Sequence, residues 1–149
     1  MVHKILVGVD ESENSEKLIR HARDIQKKFD CELVVYHSIG QQDYLISNPS
    51  ISPNYILPLY YDFQERDIIR SREILNRAKT IIGEDDPKVE TRLVTGSTAD
   101  DYAINACKEE DFDLVIIGQK RDHRIWDHLF GSVSQNILNR AECDVMVIK

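Results

Sequence analysis

The sequence predicts an α/β fold, in which helices cover both faces of an open, five-stranded parallel sheet. Short runs of apolar and β-branched residues recur along the chain with little alternation, as is typical of strands that are buried on both faces. Segments with apolar residues three and four positions apart lie between these runs and predict helices. Strands that alternate with helices favour right-handed crossovers and a parallel sheet. With 149 residues and 42% hydrophobic content, we expect a single domain over residues 1–149.

The first elements are a strand, a helix and a second strand. "HKILVGVD" at 3–10 predicts the first strand, and Ser12 or Ser15 can cap a helix that runs from about 14 to 29. "CELVVYHSI" at 31–39 predicts the second strand. The helix is predicted from one apolar face, formed by Leu18, Ala22, Ile25 and Phe29.

A long loop is predicted over about 40–60. Its prolines, at 49, 53 and 58, argue against a regular helix across this stretch. The loop is unusually aromatic, and we expect its tyrosines to pack on the surface of the domain rather than form an exposed interaction site. The tyrosines are Tyr44, Tyr55, Tyr60 and Tyr61.

The remaining elements continue the alternation. A helix is predicted over 61–82 and ends at Gly83 and Pro87. The strand at 88–96 alternates as an edge strand does. The segments that complete the fold are a helix within 97–110, a very apolar strand at 112–118, a helix from Gly131 or Ser132, and a last strand at 142–149.

Charge and composition exclude several classes of protein. The net charge of −7, without any basic stripe, argues against binding to DNA or RNA. Apolar runs are too short to span a membrane and the first residues lack a signal-peptide core, so we expect a cytoplasmic protein with no membrane partner. Three cysteines, Cys31, Cys107 and Cys143, have no CxxC spacing, which argues against a disulfide framework or a zinc site. We expect each to be a small buried side chain.

Ligands of such sheets bind outside the carboxyl ends of the strands, where the strand order reverses. Gly118 ends the fourth strand, and Gly131 opens the helix that follows the loop "IGQKRDHRIWDHLFGSVS". A glycine at each place lets an anion approach backbone N–H groups, and the hydroxyls of Ser132 and Ser134 can donate to phosphate oxygens. A Gly-Ser pair at a helix start can equally be only a cap.

The segments "ILVGVDES", "VVYHSI", "VTGSTADDYAINACKEEDFDLVIIG" and "GSVSQNILNRAECDVMVIK" resemble the universal stress protein family over almost the whole chain. The resemblance implies a Rossmann-like sheet, similar to that of adenine nucleotide alpha hydrolases, and a dimer. The family has a branch that binds ATP, with Mg²⁺ as an optional companion ion, and a branch that does not. Its ATP-binding pattern is a Gly, two residues, a second Gly, nine residues, and a Gly followed by Ser or Thr. Here Gly118 and Gly131-Ser132 match, but Arg121 stands at the second Gly.

Arg121 leaves three interpretations open. If the backbone is left-handed at this position, a residue other than Gly costs on the order of 1–2 kcal/mol, and the side chain fills space that a triphosphate would use. Alternatively, the guanidinium pairs with phosphate oxygens in place of the missing backbone contacts. Thirdly, it points into solvent. The bulky "DHRIWDHLF" segment, with Trp126 and Leu129, resembles the branch that lacks ATP.

The resemblance assigns roles to three further residues. It places Asp10 near the nucleotide, the backbone of Ser38 at the adenine, and Ser134 at the phosphates. Asp10 can instead cap the first helix. Ser134 can instead be an ordinary exposed helix residue.

The sequence leaves two functions open, a nucleotide-binding regulator and an ATP-free dimeric scaffold. We expect no dedicated catalytic activity, since His37, His123 and His128 have no recognisable nucleophile partner. The histidines also lack metal-ligand spacing, and the chain has no P-loop. By the resemblance, the last strand, over 143–148, pairs with its copy across a two-fold axis to form a homodimer.

Overall fold

A computed structural model describes residues 1–40, 49–83, 85–119 and 132–149. The described elements alternate between strand and helix along the chain. They are β1 (Lys4–Gly8), α1 (Glu13–Phe29), β2 (Glu32–Ile39), α2 (Pro53–Ile82), β3 (Val89–Thr95), α3 (Ala99–Glu109), β4 (Leu114–Gly118), α4 (Ser132–Arg140) and β5 (Asp144–Ile148). No helix in these four ranges is both long and apolar enough to cross a bilayer.

The five strands form one parallel sheet in the order β3-β2-β1-β4-β5, which confirms the predicted fold class. β1 lies at the centre and pairs with β2 on one side and β4 on the other, with Ile5 opposite both Leu33 and Leu114. β3 lies at one edge, as its alternating pattern predicted, and β5 lies at the other.

Helices cover both faces of the sheet, so each face has its own apolar core. Side chains of β1 alternate between the two cores, because successive residues of a strand point to opposite faces. Ile5 and Val7 pack with residues of α1 and α2, whereas Leu6 packs with residues of α3 and α4. All three side chains are fully buried.

The predicted loop over 40–60 is wrong in its second half, because α2 already begins at Pro53. Ser52 is the N-cap residue, and Pro53 occupies the first helical position. A backbone N–H at that position has no acceptor within the helix, so the lack of an N–H in proline costs no hydrogen bond there. Pro58 is inside the helix, where proline removes one intrahelical hydrogen bond. Its turn of α2 is exposed, so water can solvate the carbonyl that lacks its donor. Gly83 ends α2 as predicted.

The expected packing of the loop tyrosines is wrong for two of them. Tyr55 and Tyr61 are 66% and 63% exposed, since both lie on the solvent side of the first turns of α2. Tyr60 is half-buried and contacts the Tyr61 ring edge-on, with 6.0 Å between the ring centroids. Tyr44 lies outside the described residues.

The cysteines follow the sequence prediction only in part. Cys31 is a free, buried thiol, and burial raises its pKa. Cys107 and Cys143, however, form a disulfide between the end of α3 and the residue before β5, so the argument against a disulfide is wrong for this pair. Their Cα atoms lie 6.0 Å apart, an ordinary separation for a disulfide. The pair is 36 residues apart in sequence, and the tertiary fold brings the end of α3 close to the residue before β5.

Asp113 fixes the start of the central strand. Its Oδ2 accepts hydrogen bonds from the backbone N–H groups of His3, at 2.6 Å, and Lys4, at 2.9 Å. These two donors lower the pKa of the Asp113 carboxyl, because they stabilise its ionised form. Asp113 immediately precedes β4, so the contact aligns the starts of β1 and β4.

This carboxylate predicts a pH-dependent contribution to stability. The pKa of Asp113 is lower in the folded state, so its contribution is present above the unfolded pKa of about 3.9 and is lost as pH falls through the folded value. We expect Asp113→Asn to lower the free energy of unfolding at pH 7 by about 1 kcal/mol, with the difference shrinking below pH ~4. Urea unfolding between pH 7 and pH 3 measures this. Asp111→Asn is the matched control, and an Asp113→Asn deficit that is independent of pH would contradict the assignment.

Candidate functional site

The strand order creates a cleft at the carboxyl ends of β1 and β4. After β1 the chain continues into α1 on one face of the sheet, and α4 packs on the opposite face. Neighbouring strands whose helices leave to opposite faces separate at their ends and open a crevice. The cleft has a volume of about 820 Å³, within the range of small-molecule sites.

Two glycines permit the close approach of side chains at the base of this cleft. A Cβ on Gly118 would lie 2.8 Å from Asn14 Nδ2 and 3.0 Å from Leu18 Cδ1, so the first turns of α1 pack directly on the end of β4. A Cβ on Gly8 would lie 2.9 Å from Tyr36 Oη and 3.1 Å from Tyr36 Cζ. Glycine at both positions therefore allows α1 and the Tyr36 ring to reach the strand ends.

Tyr36 forms a rigid part of the floor. Its side chain is 1% exposed, and its hydroxyl donates to the carbonyl of Ala99 at 2.7 Å. Burial raises the pKa of the phenol, so it stays protonated and remains a donor. The ring also packs against Tyr102, with 4.8 Å between centroids, and thereby links β2 to α3.

Asp10 organises the turn between β1 and α1. Its Oδ1 accepts from the backbone N–H of Ser12 at 2.8 Å and from the Ser15 hydroxyl at 2.9 Å. The backbone N–H of Asp10 in turn donates to Ser15 Oγ at 2.9 Å. The N-cap residue of α1 is Ser12 rather than Asp10, and the Asp10 side chain instead holds the turn that precedes the helix. Asp10 also lines the cleft.

The end of β2 contributes His37 and Ser38 to the cleft wall. Ser38 donates its hydroxyl to the carbonyl of Ser97, which ties β2 to the start of α3. His37 Nδ1 lies 2.7 Å from the carbonyl oxygen of Val9. A carbonyl only accepts, so Nδ1 carries the proton in this contact.

Ser132 and Ser134 form the opposite side of the cleft, in the first turn of α4. Ser132 is exposed, whereas Ser134 is 5% exposed and donates its hydroxyl to the carbonyl of Gly118 at 3.1 Å. The interpretation of Ser134 as an exposed helix residue is therefore wrong. Its hydroxyl fixes the start of α4 against the end of β4.

The structure brings five of the seven sequence-predicted residues to one cleft. These are Asp10, Ser38, Gly118, Ser132 and Ser134. The other two, Arg121 and Gly131, lie outside the described residues, as do His123 and His128.

The sequence prediction missed Asn14, Lys17 and Lys149, which also line the cleft. Asn14 packs on Gly118, and Lys17 is about one helical turn further along α1. That spacing was visible in the sequence. Lys149 gave no signal, since only the pairing of β5 with β4 places it there: Ile148 lies opposite Gly118 in the register.

Comparison with known proteins agrees with this architecture. The family model described as "Universal stress protein family" matches residues 1–149. The chain belongs to the universal stress protein family. It is 24% identical over 151 residues to the universal stress protein YxiE of Bacillus subtilis, and the match covers 100% of both chains.

Two solved structures of universal stress proteins are similar to this chain. UspA from Lactobacillus plantarum superposes with a TM-score of 0.79 at 17% identity, over 99% of this chain and 98% of the other. The universal stress protein from Archaeoglobus fulgidus in complex with dAMP superposes with a TM-score of 0.68 at 24% identity, over 100% of both chains. Both show the same fold.

The contact between Gly8 and Tyr36 in this universal stress protein makes a testable prediction. In Gly8→Ala the new methyl group would press on a buried ring that cannot move into solvent, and overpacking of this kind costs about 1–3 kcal/mol. We expect the free energy of unfolding in urea to fall by that amount. Gly40→Ala is the matched control, because a Cβ there meets no atom within 4 Å. Equal stabilities of the two variants would contradict the proposed contact.

Proposed function

We propose that this universal stress protein is a small cytoplasmic regulator that binds an adenine nucleotide, ATP in particular, in the cleft between β1 and β4. No dedicated catalytic activity is part of the proposal, and slow ATP hydrolysis is compatible with it. The observation that carries it is the cleft of about 820 Å³ lined by Asp10, Ser38, Gly118 and Ser132. In doubly wound sheets this crevice is the usual place for a nucleotide.

The chemistry of the cleft suits a nucleotide at both ends. The wall formed by the end of β2 offers polar backbone and side-chain groups beside a largely apolar floor, which suits a flat base. The start of α4 offers N–H groups that have no partner within the helix, together with the Ser132 hydroxyl, and both suit a phosphate. A relative of the same fold, from Archaeoglobus fulgidus, was solved in complex with dAMP, which supports an adenine nucleotide as the ligand.

The roles of the individual residues are part of this proposal. We assign Ser38 to the adenine through its backbone, since its hydroxyl is engaged by Ser97. Gly118, Gly131 and Ser132 receive the phosphates, with Arg121 as a charged phosphate ligand in place of the family Gly. Asp10 and Ser134 support these contacts by holding the β1–α1 turn and the start of α4.

Calorimetric titration with ATP and Mg²⁺ tests the proposal, after any co-purified nucleotide has been removed. We expect the wild type to bind ATP and Arg121→Gly to bind it roughly tenfold or more weakly, since a charge-assisted contact is lost. Arg124→Gly removes the same charge from the same segment, at a position where the family pattern does not require Gly, and is the control. Binding by Arg121→Gly but not by the wild type would favour the ATP-free scaffold, in which Arg121 occludes the phosphate site.

The proposal includes a homodimer formed through β5. This strand is a sheet edge, so one side of its backbone has no strand beside it. Asp144 N–H donates to Asp113 and Ile148 C=O accepts from Gln119, so alternate residues of β5 face β4. Val145 and Val147 direct their backbone groups to the open edge.

Val147→Pro tests the dimer with little disturbance of the sheet. Proline removes the N–H at the open edge and leaves the pairing with β4 intact. Light scattering at micromolar concentration is expected to give the mass of a dimer for the wild type and a monomer for the variant. Val147→Ala, which keeps the N–H, is the control and should stay dimeric. A monomeric wild type would refute a dimer.

A further inference from the structure

We propose that Lys17 and Lys149 form a polyphosphate clamp at the mouth of the cleft and determine a preference for nucleotides with two or three phosphates. This inference rests on the proposed function, because it assigns the phosphate specificity of that same cleft. Both lysines line the cleft together with Gly118 and Ser132.

The contacts of α1 place Lys17 beside the end of β4. Asn14 and Leu18 both contact the position that a Cβ of Gly118 would occupy, so this face of α1 lies directly over the strand end. Lys17 is three residues after Asn14, so the two side chains are neighbours on the helix surface, and both line the cleft. Its ammonium group donates a hydrogen bond to the backbone carbonyl of Lys149.

The register of β5 places Lys149 at the same point. Ile148 pairs with Gly118, and its carbonyl accepts a hydrogen bond from the N–H of Gln119 at 2.9 Å. Lys149 is the next residue and is exposed at the mouth of the cleft. Two lysines from different elements thus both line the cleft near Gly118, where the Gly pattern of the family begins.

Electrostatics gives these lysines a role in binding. The described lining also contains the acidic side chains of Asp10 and Glu13, and the whole chain carries a net charge of −7. A triphosphate bears up to about four negative charges, and without nearby cations it would be repelled. The Lys17 ammonium group already bonds a backbone oxygen at the end of β5, so a phosphate oxygen bound there would receive a charge-assisted hydrogen bond from it.

The clamp is tested by comparing ligands that differ only in phosphate. Adenosine, AMP, ADP, ATP and inorganic tripolyphosphate are titrated by calorimetry into the wild type, Lys17→Gln, Lys149→Gln and the double variant. Each substitution should lower the affinity for ATP and for tripolyphosphate roughly tenfold, since an exposed charged contact is lost. Affinity for adenosine and AMP should change by no more than about twofold, and the dependence of ATP affinity on salt should become weaker.

Lys27→Gln is the matched control, because it removes the same charge from the far end of α1 and does not line the cleft. It should keep the wild-type preference for ATP over AMP. Thermal unfolding of every variant should match that of the wild type, as the substituted side chains are exposed.

Failure of the clamp is distinguishable from failure of nucleotide binding. If the wild type binds ATP and the double variant still binds ATP more tightly than AMP by the same factor, the clamp is overturned and the proposed function stands. If tripolyphosphate binds in a lysine-dependent way but ATP and adenosine do not, the clamp is supported as an anion site and nucleotide binding fails. If the wild type binds neither ATP nor tripolyphosphate, both proposals are overturned.

Discussion

The central strand β1 is the constraint on which the rest of the molecule depends. It pairs on both sides, and Ile5, Leu6 and Val7 are completely buried between two layers of helices. A strand in this position has no polar face to present to water, and its backbone groups pair with the neighbouring strands β2 and β4. Displacing it by one residue would exchange the side chains of the two cores. Asp113 opposes such a shift, because it binds the backbone at the start of β1 from the start of β4.

The cleft is a consequence of that central position. Because β1 lies between β2 and β4, its carboxyl end is the place where successive helices leave to opposite faces. Small residues at this end then decide how near the helices can come. Gly118 lets Asn14 pack on the end of β4, and Gly8 leaves room for the Tyr36 ring. Ser134 and Ser15 add hydrogen bonds that hold the two turns in place.

The sequence predicted the elements whose patterns arise from burial. β1, β2 and β4 lie inside the sheet and give continuous apolar runs, while β3 lies at an edge and alternates. The family resemblance and the strand-end rule together located five residues of the candidate cleft. Those five signals are local, since each residue adjoins the end of a strand or the start of a helix.

What the sequence could not predict depends on partners that are distant along the chain. The start of α2 was missed because three prolines outweighed helical spacing, although a proline at the first helical position is compatible with a helix. Cys107 and Cys143 gave no pattern, because they are 36 residues apart in sequence and only the tertiary fold decides their separation. The position of Lys149 also depends on a distant part of the chain, because the register of β5 with β4 places it at the cleft.

The charged side chains that line the cleft bear on whether it can hold a phosphate. A site built only from Gly118, Ser132 and Ser134 would attract an anion through dipoles but would carry no positive charge. The nearby carboxylates of Asp10 and Glu13 would repel the anion. The family pattern normally adds backbone N–H groups through a second Gly, and this chain has Arg121 there instead. Lys17 comes from α1, and Lys149 is the residue after β5. In the proposed site, the positive charge for a polyphosphate therefore does not come from Arg121 alone.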